Sequence, residues 1–400
     1  MGHPGIPAAG QAEGSDAAPE PLTTSADDHY CEGAARLRTG PGFFRPDSRP
    51  ARDLAVLLAC DLRTRGPLSV LDAMAGCGIR ALRYGLEAGA APIWANDADP
   101  DRLPLLQSNL AALPAGTAVR HTALTAQRLL AGCLERGERF SLVDLDAFGS
   151  CSALLPLALE AVGFGGLLVL ASTDGRSATG HDRPAALRSL GAAARAHPVS
   201  WELALRLQLG QVARAAWAMG RGLEPVLAHS EGRTFRLAVR VLRRPDPRQL
   251  EHLGMLAHCH GCGDQQAQSL LRLRQWRLCG CPVGDAPPLA VSGPLWIGAL
   301  QDPATLAGLA PLAAARPGSL APSTARLLAR LAADPGDEPR CWPLAAIARA
   351  LGQGPPPLQE LVARLRAEGH RADAGGVMPA TVRSDAPWPR ILALASGRAC

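Results

Sequence analysis

The chain has 400 residues, 47% of them apolar and 19% charged, with a formal net charge of +5. That length suffices for two domains with buried cores, and no stretch offers the long uncharged run of a membrane-spanning helix. So small a positive charge does not mark a nucleic-acid binder, although every basic residue is Arg, a side chain suited to phosphate pairing and base stacking.

Residues 1–27 are rich in Gly, Pro, Ala and acid and read as a disordered tail. They lack the charged-then-apolar pattern of a secretion signal, so a soluble, cytoplasmic protein is expected. From about His29, short apolar strands alternate with helical stretches, the pattern of an α/β, Rossmann-like domain around a mostly parallel sheet. Strands are predicted over 68–73, 92–97, 141–146 and 166–173. Residues 201–220 have helical apolar spacing and a Gly stop. Residues 234–244 alternate and are expected as a late, half-buried strand. A shift to proline and charge in "RRPDPRQLEH" (243–252) sets the expected boundary, with an α/β domain over 28–245 and a smaller α+β domain over 246–400. In the latter, two amphipathic stretches within 342–370 flank a Gly-Pro break, as helix-turn-helix or winged-helix segments do.

Three segments carry chemistry. "VLDAMAGCGIRAL" (70–82) is strand, acid, glycine loop and helix, in which Gly76 and Gly78 allow close backbone approach to a ligand. Asp97 ends the next strand, placed to take both hydroxyls of a ribose. Gly76-x-Gly78-x-x-Ala81 also fits the dinucleotide fingerprint and motivates a nicotinamide-dependent dehydrogenase as an alternative. Asp72 favours S-adenosylmethionine instead: an acid there repels a pyrophosphate but pairs with an ammonium, while Arg80 suits the cofactor's carboxylate. "DLDAFG" (144–149) then delivers Asp146 and Phe148 beside that pocket. A carboxylate and the Ala147 carbonyl would accept the two N–H hydrogens of an exocyclic amine, and Phe148 would stack on a base removed from its own stack. Asp144, deeper on the same face, reads as structural. Third, Cys259, Cys262, Cys279 and Cys281 cluster among eleven cysteines. Cys259-x-x-Cys262 is a proper zinc arm, Cys279-x-Cys281 is one residue short, and His258 and His260 lie close by. Four thiols in a cytoplasmic chain favour structural zinc over disulfides.

Taken in order, "GFFRPDSRPARDL" (42–54), "LDAMAGCGIRALRY" (71–84), "ANDADP" (95–100), "DLDAFGS" (144–150), "LEPVLAHS" (223–230), "GPLWIGAL" (293–300) and "GHRADAGGVMPATVRSDAPW" (369–388) resemble the tRNA guanosine-26 N2,N2-dimethyltransferases. The resemblance implies a methyltransferase domain with a family-specific C-terminal domain, methylating guanine N2 of tRNA twice from S-adenosylmethionine. It implies that Asp146 and Phe148 are the catalytic acid and a base-stacking ring. Phe43 would be the second ring, although a Phe-Phe pair is ordinarily core. Arg52, Arg80 and Asp97 would bind the cofactor. The family's acid–Ala pair beside the adenine falls at Thr125-Ala126, keeping only the Ala, and its Pro falls at Ala147, which loses proline's fixed φ. Relatives often carry paired zinc-binding cysteines in the second domain. The two departures motivate a non-enzymatic alternative, an RNA-binding protein descended from the enzyme.

Overall fold

The computed structural model describes residues 29–281 and 287–397, so the expected tail lies outside the described residues. A hairpin of β1 (His29–Glu32) and β2 (Ala35–Arg38) precedes α1 (Arg49–Thr64). Strands and helices then alternate through β3 (Val70–Asp72), α2 (Ile79–Ala88), β4 (Ile93–Asp97), α3 (Leu103–Leu110), β5 (Val119–Ala123), α4 (Ala126–Arg136), β6 (Phe140–Asp146), α5 (Leu155–Ala161) and β7 (Val162–Ser172). Helices α6 (Gly175–Ala178), α7 (Arg183–Leu190) and α8 (Ser200–Ala218) lead to β8 (Gly222–Glu231) and β9 (Thr234–Leu242).

One sheet runs in the order β5-β4-β3-β6-β7-β9-β8. Strands β3 to β7 are parallel, and β9 and β8 close that side antiparallel. On one face α4, α5 and α8 bury Leu129, Leu155 and Leu203 against Val143 and Leu145 of β6. On the other, α1 and α2 bury Leu54, Leu57 and Leu82 with Leu142. Since side chains alternate along a strand, Asp144 and Asp146 share the α1–α2 face with Leu142.

Strand β9 is not half-buried as expected: it lies between β7 and β8, and eight of its nine residues are buried. Its alternation arises because Arg236 and Arg240 are buried beside acceptors instead of facing solvent.

The last sheet strand ends just before the expected boundary, yet packing continues across it. An antiparallel sheet follows, built from β10 (Leu253–His258), β11 (Gln265–Ser269) and β12 (Ala290–Trp296). Helices α9 (Pro303–Ala314) and α10 (Pro322–Ala333) turn back so that Leu306, Leu309, Leu328 and Leu331 join the α1 core. The chain ends with β13 (Cys341–Pro343), α11 (Leu344–Leu351), α12 (Leu358–Ala367), β14 (Ala372–Ala374), β15 (Thr381–Ser384) and α13 (Trp388–Ala395). These share a separate core in which Trp342 and Trp388 stack with ring centroids 5.5 Å apart. Among the described residues no helix is long and apolar enough to cross a membrane.

Candidate active site

Strands β3, β4 and β6 each end on an aspartate: Asp72, Asp97 and Asp146. The chain reverses direction across the sheet between β3 and β6, which is where α/β sheets open a ligand crevice. The glycine loop lies over β3. Gly76, at φ +56°, donates its N–H to Asp97 Oδ2 at 2.8 Å. A Cβ on Gly76 would meet nothing within 4 Å, whereas one on Gly78, at φ +83°, would lie 2.7 Å from Leu106 Cδ1. Gly76 therefore borders open space, and Gly78 lets the loop pack on α3. Asp97 Oδ1 accepts from the Asp99 N–H at 3.0 Å, and the half-buried carboxylate keeps lone pairs for a ligand. Exposed Thr125 caps α4 by accepting from Arg128 N–H at 3.4 Å, and Ala126 is buried behind it. Asn96, passed over in the sequence, ties these ends together by donating to the carbonyls of Ala73 and Leu124.

The charged residues are already paired within the chain. Asp72 is fully buried under the loop. Its Oδ2 accepts from the Ala81 N–H in the first turn of α2, and its Oδ1 has no partner. Burial, and then Asp144, push its carboxyl well above the usual range. Arg80 bridges Asp144 Oδ2 at 3.4 Å and Asp146 Oδ2 at 2.9 Å. Asp144 also accepts from the Tyr84 hydroxyl at 2.6 Å, in keeping with a structural role. Asp146 is a third exposed at its side chain, and Arg236 reaches its Oδ1 at 3.4 Å. Burial alone would raise the Asp146 carboxyl, but Arg80 and then Arg236 outweigh it and hold it at about 2. Arg52 is buried and clamps Glu32 through Nε at 2.8 Å and Nη2 at 2.5 Å. Glu32 and Arg236 are thus residues of the site that the sequence reading missed.

Two exposed rings meet just beyond the end of β6. Phe43 and Phe148 are 65% and 74% exposed, yet their centroids lie 5.1 Å apart at an interplanar angle of 77°. Phe44 turns the other way, 4.7 Å from the Tyr30 ring with the Arg52 guanidinium over it. The turn carrying Phe148 is held to the end of β7: Gly149 N–H donates to Thr173 Oγ1 at 2.7 Å, and its carbonyl accepts from Thr173 N–H at 3.1 Å.

The family model for N2,N2-dimethylguanosine tRNA methyltransferases matches residues 32–395. The chain belongs to this family. Family members of similar sequence include the tRNA (guanine(26)-N(2))-dimethyltransferases of Thermococcus kodakarensis, 30% identical over 89% of this chain and 93% of that protein, and of Aeropyrum pernix, 30% identical over 88% of each. Among solved structures, Trm1 from Pyrococcus horikoshii in complex with S-adenosyl-L-methionine superposes with a TM-score of 0.79 at 26% identity, covering 92% of this chain and 99% of that one.

The four clustered cysteines converge although they come from two separate segments. Their Sγ atoms all lie within 4.8 Å of one another. Cys259 Sγ is 3.5 Å from Cys279 and 3.6 Å from Cys281. Tetrahedral thiolates at about 2.3 Å from zinc stand roughly 3.8 Å apart, so the donor set fits that ion. The short Cys-x-Cys spacing does not keep either thiol out.

Proposed function

We propose that this chain methylates the exocyclic N2 of guanine 26 in tRNA twice, with S-adenosylmethionine as donor, Asp146 as the catalytic carboxylate and Phe43 and Phe148 as the rings that take the base. Family membership supports the reaction. The residue roles rest on one observation: two exposed rings in edge-to-face contact beside a carboxylate held ionised at the crevice. With tRNA as partner, we place the chain in the cytoplasm.

The cofactor supplies an electrophilic methyl group. The open space at Gly76 and the free lone pairs of Asp97 fit it, with Asp97 on the ribose and Thr125-Ala126 beside the adenine. A guanidinium has five N–H donors; Arg52 gives two more to the carbonyls of Arg45 and Pro46, and its remaining N–H, with those of Arg80 beyond its carboxylate pairs, is assigned to the cofactor's carboxylate. Asp72 supports the start of α2.

The lone pair of guanine N2 is delocalised into its ring and is a poor nucleophile. Acceptance of its two hydrogens by Asp146 and the Ala147 carbonyl returns electron density to nitrogen. As N2 takes the methyl it gains positive charge, which an adjacent fixed carboxylate stabilises in a water-poor pocket. Asp146, held at about 2, stays an anion and works as acceptor and counter-charge. Its solvent-open edge gives the released proton a way out. After the first transfer one hydrogen remains on N2, so the second relies on Asp146 more heavily.

Asp146→Asn keeps the shape and loses the charge and one acceptor. Single-turnover methylation at saturating tRNA and cofactor is expected to fall about a hundredfold or more, with cofactor affinity unchanged. Parent-rate methylation by the folded, cofactor-bound variant would remove Asp146 from the chemistry.

A further inference from the structure

Arg236 belongs to no cofactor loop and to neither ring, yet it touches the carboxylate on which the proposed chemistry turns. The strand register explains how. Asp146 on β6 lies opposite Ala171 on β7, Ala171 opposite Arg236 on β9, and Arg236 opposite His229 on β8. These residues form one row across a single face of the sheet. Neighbouring strands are about 4.8 Å apart, so the backbones of Asp146 and Arg236 are separated by two such steps. The intervening side chain is a methyl group, and over it Arg236 Nη1 reaches Asp146 Oδ1 at 3.4 Å. A longer side chain at position 171 would fill that path.

The outer end of Arg236 is fixed too. Its Nε donates to Glu231 Oε2 at 3.2 Å, and Glu231 Oε1 accepts from the Ala51 N–H in the first turn of α1 at 3.0 Å. From the other side Arg80 takes Asp146 Oδ2 at 2.9 Å, but Arg80 is shared with Asp144. Each oxygen of Asp146 is therefore gripped by a different arginine, and of the two only Arg80 also bridges to Asp144.

We propose that Arg236 is a positioning residue for methyl transfer: working across Ala171, it fixes the rotation of the Asp146 carboxylate so that a free lone pair stays aimed at the base amine. The inference rests on the catalytic reading of Asp146 given above. Arg236 is also one of the three charges that keep this carboxyl ionised, after Arg80 and ahead of Arg52. Other groups facing it are Asp144 and Asp72, both pushed up by burial first, the Tyr84 hydroxyl, and Arg52 with its partner Glu32. His229, beside Arg236, is held neutral down to about 3 by burial and then by the Arg236 charge.

Arg236→Gln, Arg236→Lys and Glu231→Gln test this, each measured as single-turnover methylation against pH with separation of N2-methylguanosine from N2,N2-dimethylguanosine. Arg236→Gln is expected to slow transfer roughly ten- to a hundredfold, the loss of a hydrogen bond to a charged group. It should also accumulate monomethylated product and steepen the loss of rate toward acid relative to the parent. Arg236 also bears on Asp144 and His229, so the assignment to Asp146 rests on the pH profile and the product ratio moving together. Arg236→Lys should recover part of the rate and of the flat profile. Glu231→Gln, which frees the outer anchor, should shift the product ratio in the same direction, and it decides the matter if Arg236→Gln does not fold. A parent rate, product ratio and pH profile per folded molecule would overturn the role of Arg236, even if stability fell. If Asp146→Asn abolishes transfer while these variants match the parent, only the Arg236 inference falls. If Asp146→Asn itself methylates normally, the underlying reading falls instead.

Discussion

A phenylalanine three-quarters open to water exposes apolar surface that folding ordinarily hides, and at the mouth of this crevice two of them meet. Their exposure means that truncation should spare the fold and strike the ligand. Phe148→Ala is expected to weaken tRNA binding by roughly 1–3 kcal/mol, the usual worth of one base–aromatic stack, with melting temperature unchanged. Equilibrium binding at fixed salt checks this, and parent affinity would show that the ring does not hold a base. Asp146 and Phe148 were legible in the sequence because an acid and a ring interrupt an apolar run where a strand ends. Phe43 was legible only by resemblance: a Phe-Phe pair does not say which ring turns out. The structure separates them, with Phe44 packed beneath Arg52 and against Tyr30. Sequence order does not reveal whether an acid before a glycine loop faces a ligand or the helix beside it, and Asp72 accepts from the Ala81 N–H at the start of α2.

Strands with a continuous apolar run were readable at the scale of elements: β3, β4, β6 and β7 fall within a few residues of their predicted spans. Edge strand β5, "VRHTA", was not, since no residue in it is fully buried and it lacks that run. The β10–β11 hairpin shows the same limit for a site. Its turn carries Cys259 and Cys262, with Cys259 N–H donating to Asp264 O and Gly263 N–H to Cys259 O, both at 2.9 Å. Spacing alone made Cys279-x-Cys281 a poor arm, because the bend that brings both thiols back is set by the approach of the segment to the hairpin. Protein purified without chelator is expected to carry about one zinc per chain, and chelation to lower the stability of this region. Elemental analysis finding no metal would remove the zinc assignment.

Across the whole molecule, the sheet and the C-terminal region are joined by buried charge. Arg383 on β15 pairs with Glu202 of α8 at 2.7 Å and with Asp334 at 2.7 Å. Arg206 of α8 pairs with Glu202 at 2.9 Å and donates to the carbonyls of Trp296, Gly298 and Gly336. Removing one member of such a buried set leaves a charge uncompensated, so Arg383→Met should destabilise the protein by about 3–5 kcal/mol at neutral pH. Burial would raise the Glu202 carboxyl, but Arg383 and then Arg206 hold it at about 2 against an ordinary 4.5. Because the folded value is depressed, this stabilisation is complete above about 4.5 and is lost as pH falls toward 2. Denaturant unfolding should therefore show the gap between parent and Arg383→Met narrowing below pH 4.5; a gap of constant size would mean that Glu202 is not held ionised by Arg383.

The claim on which everything else depends is that guanine N2 at position 26 of tRNA receives the methyl groups. The direct measurement is nucleoside mass spectrometry of an unmodified tRNA transcript incubated with the protein and S-adenosylmethionine, beside a transcript carrying inosine at position 26, which lacks the exocyclic amine. We expect N2,N2-dimethylguanosine at position 26 of the first and no methylation of the second. Methyl groups at another position, or equal methylation of the inosine transcript, would contradict the account.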